Sequence, residues 1–408
     1  MPRWVAVTAL VKNDANGLDP AGVRLVSVSA LCVGMGASLG FLPGFLATSL
    51  RDDLGIGRGQ VGVLVSLHFG CTGIGSVFGG RLTERFGARI VIIADMAIVA
   101  AAATFSAVIG EYWALLVAAV FAGFAYSLVN AGTNVAVGRA VPLSRRTTAM
   151  SLKTAGVPLM AVVAGGTGPP IASAVGWEPV VAVTALVAAV TAVIAGLTFA
   201  DDRPPPMEKR TKVPLPAGFY WYPVGAFLLI AGSQPLYSWT IAYLEQALGA
   251  APGLAGGVSA GASACGVVIM ILSARSADKE GPEARLRRLV VLIGINCVGT
   301  VLVLVGEFTG IAVVALGAVI GIGAQLAAIG TMHAAVVDRA PDAIASATGI
   351  TMTGYYVGAL ASPVAFGLLA DATGTFAWSW GATIVLLLAA LPVWVMAGQQ
   401  RTAIPVGT

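Results

Sequence analysis

The sequence predicts an all-α integral membrane protein with twelve transmembrane helices in two pseudo-symmetric six-helix bundles. Hydrophobic residues make up 57% of the chain and charged residues only 10%. The apolar residues fall into blocks of about 20, long enough to cross a hydrocarbon core of ~30 Å as a helix. Because backbone groups in lipid must be satisfied within their own segment, each block is expected to be helical. A charged, proline-rich break at residues 201–218 divides the blocks into two sets of six.

Twelve apolar blocks follow one another along the chain. The predicted spans are residues 25–50, 61–80, 90–109, 113–137, 149–174, 179–200, 221–245, 256–274, 289–306, 311–336, 345–369 and 377–397. With both termini inside, 20 of the 23 lysines and arginines fall on the cytoplasmic side, Arg51 and Arg58 lie opposite, and Lys153 falls within a block. Cytoplasmic loops carry such an excess, so we expect cytoplasmic termini in a plasma membrane. Contact with anionic lipid then explains the positive charge of these loops, and no nucleic-acid partner is expected.

Short internal matches indicate that a six-helix unit has been duplicated. Residues 50–55 resemble 244–249 and residues 80–87 resemble 274–281, both at a shift of 194, while Gly132-Thr133 matches Gly330-Thr331 at 198. Such repeats place a solute site between the halves, with alternating access. The expected organisation is a cytoplasmic tail (1–22), a first bundle (23–200), a linker (201–218), a second bundle (219–398) and a second tail (399–408).

The loop after the second span carries a family signature. It reads Gly80-Arg-Leu-Thr-Glu84-Arg85-Phe-Gly87-Ala88-Arg89 and resembles the G-x-x-x-D-R-x-G-R-R motif of the major facilitator superfamily, with Glu84 for aspartate and Ala88 for a basic residue. The resemblance implies that fold, and a cytoplasmic gate made with Arg139 and the degenerate second copy at Asp278. Glu84 would pair with Arg139 or cap a helix of the other half. The alternative is a solvated turn whose charges only enforce topology.

A narrower resemblance involves the fourth and fifth spans. Asn130-x-x-x-Asn134, Arg145-Arg146 and the Lys153-Thr-Ala-Gly-Val-Pro segment are similar to the branch that contains the cyanate permease and the 2-nitroimidazole transporter. Gly156, Gly165 and Gly168-Pro169 are also similar to the Gly-Pro signature of drug exporters, although the last spacing is one residue short.

Polar residues inside the spans are the candidates for solute binding. Lys153 stands out because an ammonium at the bilayer centre costs at least ~2.5–3.5 kcal/mol. It would either present a fixed positive charge to a solute or snorkel to the interface, about 10 Å away at Arg146. The other candidates share helix faces or stand alone as polar residues: Tyr126, Asn130 and Asn134; Gln234, Tyr237 and Ser238; Thr351 and Tyr355; and Gln325. Hydrogen bonds between helices are the alternative role for them.

Three titratable side chains are candidates for proton coupling: His68, His333 and Asp95. An unperturbed imidazole titrates near pH 6.5, although a lone membrane histidine more often serves packing. For Asp95, the favoured interpretation is an ion pair with a nearby arginine that has a structural role. No acid lies in the predicted first or fourth helix, so the sequence leaves proton coupling unproven.

These features predict a secondary transporter of a small organic solute, an anion or a polar aromatic compound. The alternative is proton-driven efflux of drugs or metabolites. A primary pump is disfavoured because none of the five lysines follows a glycine, as a phosphate-binding loop requires. An enzyme would need a clustered metal or acid–base set. We therefore expect no catalysis, cofactor or metal, and a monomer whose partners are the solute, the bilayer and possible coupling protons.

Overall fold

The computed structural model describes residues 19–200, 214–277 and 281–399. The described chain is almost entirely helical, which confirms the predicted all-α membrane fold. Besides one 3₁₀ turn at Pro341–Ala343, its helices are α1 (Pro20–Phe45), α2 (Ala47–Leu54), α3 (Arg58–Phe86), α4 (Ala88–Ile109), α5 (Tyr112–Ala140), α6 (Leu143–Thr154), α7 (Gly156–Val175), α8 (Glu178–Thr198), α9 (Trp221–Gln246), α10 (Pro252–Ala277), α11 (Pro282–Thr309), α12 (Ile311–Arg339), α13 (Ile344–Thr373) and α14 (Ala377–Gln399).

Two of the twelve predicted spans are interrupted helices. In the first span, α1 contains Pro43, and Leu46 leaves the helical conformation with φ −102° and ψ 15° before α2 begins. Hydrogen bonds from the N–H of Leu46 to Leu42 and from the N–H of Leu50 to Leu46 continue across this point, so α1 and α2 form one distorted span. In the fifth span, Ala155 separates α6 from α7. The twelve spans therefore comprise fourteen helices.

The seventh span, α9, differs in composition from the others. Within the described residues, eleven segments are long and apolar enough to cross a membrane, and α9 is not among them although it has 26 residues. Every residue of α9 from 229 to 244 is buried. Its serine, glutamine and tyrosine side chains lower its hydropathy, and burial places them in protein rather than lipid. Polar groups in membrane helices usually face a bundle interior in this way.

The two sets of helices meet along three pairs of spans. Helix α3 packs against α13, α7 against α10, and α1 with its continuation α2 against α9. The backbones approach closely at glycines. A Cβ built at Gly62 would lie 2.8 Å from the carbonyl carbon of Pro363, and one at Gly44 would lie 3.0 Å from the Cα of Ser238. Small residues allow this kind of close helix packing in membranes.

The two halves separate toward the side that carries most of the basic residues, called here the basic side. Along α3 and α13, the last contacts toward this side are those of Gly73 and Ser76 with Tyr356. Beyond them, Val77 is 64% exposed and Ile350 is 45% exposed. A Cβ built at Gly80 would meet no atom of the described chain within 4 Å. The interface is therefore open on the basic side and closed on the opposite side.

Candidate functional site

The ammonium of Lys153 is held inside the first half. Its Nζ donates to Oδ1 of Asn134 at 2.7 Å and to Oγ1 of Thr133 at 3.3 Å. Lys153 itself is only 3% exposed, whereas Asn134 is exposed. Among the residues that the structure describes, no carboxylate forms a salt bridge with Lys153. The result is a buried positive charge held by two neutral oxygens.

A close contact between the start of α7 and α1 holds the chain near Lys153. Lys153 is the penultimate residue of α6, and Ala155 follows before α7 begins. The first residue of α7, Gly156, lies so close to α1 that a Cβ there would overlap the carbonyl oxygen of Ala30. Only glycine allows this approach. The contact anchors the chain three residues beyond Lys153.

Aromatic side chains from both halves meet at the centre of the interface. The ring of Phe41 on α1 lies 5.6 Å from that of Tyr237 on α9 and 5.1 Å from that of Phe69 on α3. Tyr355 and Tyr356 of α13 pack edge to face with centroids 5.3 Å apart. Tyr126 of the first half lies close enough to both to interact electrostatically. The structure thus brings the three predicted tyrosines, 126, 237 and 355, to one region.

Several buried polar side chains of the second half have an atom with no hydrogen-bond partner among the described residues. An unsatisfied buried polar group costs roughly 1–3 kcal/mol, so a solute or water at these atoms would be stabilised. Sequence reasoning missed Ser259 and Ser263, since hydroxyls in a glycine- and alanine-rich helix resemble packing residues, but their spacing of four places them on one face of α10. Among the described residues, the unpartnered atoms are Gln234 Nε2, Ser259 Oγ, Gln325 Oε1 and Thr351 Oγ1, whereas the side chains of Tyr237 and Ser263 lie close enough to hydrogen-bond each other.

Three predicted residues hydrogen-bond within their own helices. The amide of Asn130 donates to the carbonyl of Tyr126 at 2.9 Å, and the hydroxyl of Ser238 contacts the carbonyl of Gln234 at 3.4 Å. Nδ1 of His333 lies 2.8 Å from the carbonyl oxygen of Ile329. These contacts satisfy one polar atom of each side chain locally. Their roles in binding or coupling stay predictions.

Asp95 and His68 are fully buried in the first half. Both have no exposed surface. Neither carboxylate oxygen of Asp95 and neither ring nitrogen of His68 has a hydrogen-bond partner among the described residues. The expected pairing of Asp95 with an arginine is therefore not found, because α4 turns this side chain toward α1 and α5, where Gly36 and Tyr126 lie.

The signature loop does not form its expected ion pair in this state. Gly87 adopts φ +87°, which a glycine tolerates at a tight turn. Over the described ranges, Glu84 forms no salt bridge with Arg139, and Arg85 instead lies 5.3 Å from the ring of Phe86. Nε of Arg89 is buried and has no hydrogen-bond partner in the part of the chain that the structure describes. Near Gly80, where the halves separate, no salt bridge joins Glu84 to the other half within the described residues; Asp278 lies outside them.

A polar network closes the side opposite the basic loops. Oε1 of Gln246 accepts from Nη1 of Arg51 at 2.6 Å and from Nε of Arg58 at 2.9 Å. Arg58 also lies 3.6 Å from the carboxylate of Asp371 and 4.7 Å from the ring of Phe376. In the sequence, Arg51 and Arg58 stand out only as exceptions to the charge bias. The network ties α2 and α3 to the ends of α9 and α13.

Comparison with known sequences and structures decides the family. Residues 26–363 match the sequence profile of the Major Facilitator Superfamily. The chain belongs to this superfamily. Membership makes it a multi-pass membrane transporter with twelve transmembrane spans, as the helix arrangement indicates. A search among curated proteins gave no match.

Solved structures of other superfamily members share this fold. A bacterial homologue of the human lysosomal transporter Spinster, in an inward-facing and occupied conformation, is 16% identical, with a TM-score of 0.74 over 94% of this chain and 98% of that chain. The inward-open xylose transporter of E. coli is 13% identical, with a TM-score of 0.73 over 91% and 96%. A D-xylose–proton symporter is also 13% identical, with a TM-score of 0.69 over 91% and 97%. At these identities the similarity shows the fold alone.

Proposed function

We propose that this transporter carries a small organic anion or a polar aromatic solute across the cytoplasmic membrane. The buried ammonium of Lys153, bonded to Asn134 and Thr133, supports the proposal most directly. A charge buried without a counter-charge is costly. An anion bound beside Lys153 would offset part of that cost, whereas a cation would increase it.

The aromatic and polar side chains at the interface support the second part of this substrate class. Phe41, Tyr237 and Tyr355 offer ring faces and edges on which a planar solute can stack. Nearby, the unpartnered atoms of Gln234 and Thr351 can hydrogen-bond its polar groups. Because these residues come from both halves, a bound solute would contact both when the transporter changes its direction of opening.

The proposed orientation places the basic side in the cytoplasm. The excess of lysine and arginine there agrees with the positive-inside rule. The state with halves apart on that side would then face inward, and the network around Arg58 would be the closed outer gate. A membrane potential of 100 mV makes the free energy of a monoanion about 2.3 kcal/mol lower on the positive side. The potential can therefore drive export of an anion by the transporter, which we propose acts as a monomer.

A thermal-shift screen of purified protein tests the anion proposal. The panel comprises small carboxylates, cyanate-like anions, nitroimidazoles and lipophilic cations, applied to wild type, Lys153→Ala and the exposed neighbour control Thr154→Ala. We expect an anion to stabilise wild type and Thr154→Ala but not Lys153→Ala. Stabilisation by cations alone, undiminished in Lys153→Ala, would refute the anion proposal.

A second candidate function is proton-driven efflux of lipophilic compounds. An apolar groove of about 670 Å³ opens between α1, α7 and α8, lined by residues such as Leu31, Val163 and Val183. All three are exposed on the surface that faces the bilayer. The glycine-rich part of α7, which resembles the Gly-Pro signature of drug exporters, lies at the interface with α10. A Cβ built at Gly256 of α10 would lie 3.4 Å from the carbonyl oxygen of Gly166 in α7. Stabilisation by lipophilic cations in the same screen would favour this function.

A further inference from the structure

Gly36, Gly40 and Gly44 lie one turn apart on α1. The helix face that they share packs against two titratable side chains of the first half and against the second half. A Cβ built at Gly36 would lie 3.0 Å from Oδ2 of Asp95, and one at Gly40 would lie 2.8 Å from Nε2 of His68. A Cβ at Gly44 would lie 3.0 Å from the Cα of Ser238 in the second half. Residues four apart share one helix face. Helix α1 therefore contacts Asp95, His68 and α9 in successive turns.

Tyr126 lies between the two titratable side chains. Its ring centroid is 5.7 Å from that of His68, and its Cδ2 lies 3.0 Å from the same Gly36 Cβ position that approaches Asp95. Asp95 and His68 are both completely buried, and none of their four polar atoms is hydrogen-bonded within the described chain. Two unpartnered polar side chains are thus directed at one face of α1.

The groups that face this pair carry no fixed charge. From α1 comes the thiol of Cys32, which interacts electrostatically with Asp95. From α3 comes the thiol of Cys71, one turn from His68, and from α5 the phenol of Tyr126. Tyr355 and Tyr356 of α13 approach Tyr126. Two other charged residues stand at helix starts: Glu178 is the first residue of α8, and Arg89 is the second residue of α4, six positions before Asp95.

We infer that Asp95 and His68, on either side of Tyr126, form a single proton-binding site that controls which way the two halves open. Burial without a counter-charge disfavours a carboxylate, so a proton on the pair favours the packed state seen here. Loss of that proton leaves a negative charge against α1. The free-energy cost of this buried charge falls when α1 moves and admits water. The same movement of α1 disturbs the contact between Gly44 and Ser238. The ligand is a proton, and the site is separate from Lys153.

Distance measurements at different pH test this inference without any solute. Spin labels at Val77→Cys on α3 and Ile350→Cys on α13, in a Cys265→Ser background, would report the separation on the basic side in nanodiscs. Both positions are exposed, and the three other cysteines are buried. The pH range runs from about 5 to about 9, around the ordinary histidine value near 6.5. We expect the long distance to dominate at low pH and a shorter distance to gain about tenfold in population at high pH.

Asp95→Asn is the decisive variant, and Asp53→Asn, at an exposed position, is its matched control. We expect Asp95→Asn to keep the long distance at every pH, because an amide remains neutral, and Asp53→Asn to behave like wild type. A wild type that does not respond to pH would overturn the inference. An Asp95→Asn variant that keeps the wild-type response would overturn it as well.

A second measurement decides the matter if Asp95→Asn does not assemble. The chain has two histidines, so imidazole NMR of a His333→Gln variant reports His68 alone. We expect the His68 resonances to change over the same pH range as the label distance. Resonances that stay constant while the distance changes would exclude His68 from the site. Because neither readout uses a solute, failure of the anion proposal leaves this test intact.

Discussion

The ammonium of Lys153 donates a 2.7 Å hydrogen bond to the amide oxygen of Asn134. This bond joins the end of α6 to α5 across a sequence separation of 19 residues. A neutral amide can hold an ammonium in place without cancelling its charge. If an acidic residue stood at position 134, the same geometry would make an ion pair and leave no net charge to attract an anion.

Asn134→Asp tests this distinction while it keeps the lysine. We expect the new carboxylate to pair with Lys153 and to weaken binding of a stabilising anion about tenfold or more, since hydrogen bonds to charged groups contribute roughly 1.5–3 kcal/mol. Binding is measured by calorimetry or thermal shift with the anion identified in the panel. Asn134→Ser, which keeps a neutral oxygen, is the control, and equal affinity in both variants would contradict the proposed role of Lys153.

Arg58→Ala is expected to loosen the closed side. Arg58 joins Gln246 and Asp371, but its pair with Asp371 is partly exposed, so we expect a loss of about 1 kcal/mol, or roughly a fivefold shift toward opening on that side. A cysteine at Ser66, whose hydroxyl accepts a hydrogen bond from the backbone N–H of Val364 at 3.2 Å, would report the opening by maleimide labelling. Labelling should be faster in Arg58→Ala.

The control for the labelling experiment is Arg81→Ala, because Arg81 is exposed on the basic side. It should label at the rate of the parent protein. If Arg58→Ala and Arg81→Ala gave the same rate, the network around Arg58 would not be what holds this side shut.

Gly156→Ala is expected to destabilise the protein. Its methyl group would overlap the carbonyl oxygen of Ala30, and overpacking of this kind typically costs about 1–3 kcal/mol. Thermal melting in detergent should show a lowered midpoint. Gly257→Ala is the matched control, since a Cβ there meets no described atom within 4 Å; a lower midpoint in both variants would attribute the effect to the loss of glycine rather than to this contact.

The sequence was sufficient for the fold because lipid imposes a simple rule. A span must be apolar, of a fixed length and helical. Within the described residues, eleven segments satisfy that rule by their length and composition. The exception, α9, was still predicted, since its polar residues were few enough for burial inside the protein. The breaks at Leu46 and Ala155 were not predicted, because Pro43 and Gly156 mark them only weakly in an apolar context.

The candidate site was only partly predictable, because helix periodicity gives a face but not its neighbours. The sequence selected Lys153 and Asn134 separately, and their contact depends on how α6 packs against α5. It also favoured an arginine partner for Asp95, whereas α4 directs the carboxylate toward Gly36. The expected pair of Glu84 with Arg139 depends on conformation, and one sequence cannot indicate in which state the halves stand.

Transport in proteoliposomes tests the central claim most directly. The anion that stabilises the protein best is loaded as a radiolabelled solute, and its movement is measured under an imposed potassium-diffusion potential in wild type and Lys153→Ala. The account predicts saturable movement that the potential accelerates toward the positive side and that Lys153→Ala reduces about tenfold or more. Equal movement in both proteins, independent of the potential, would contradict a site built on the charge of Lys153.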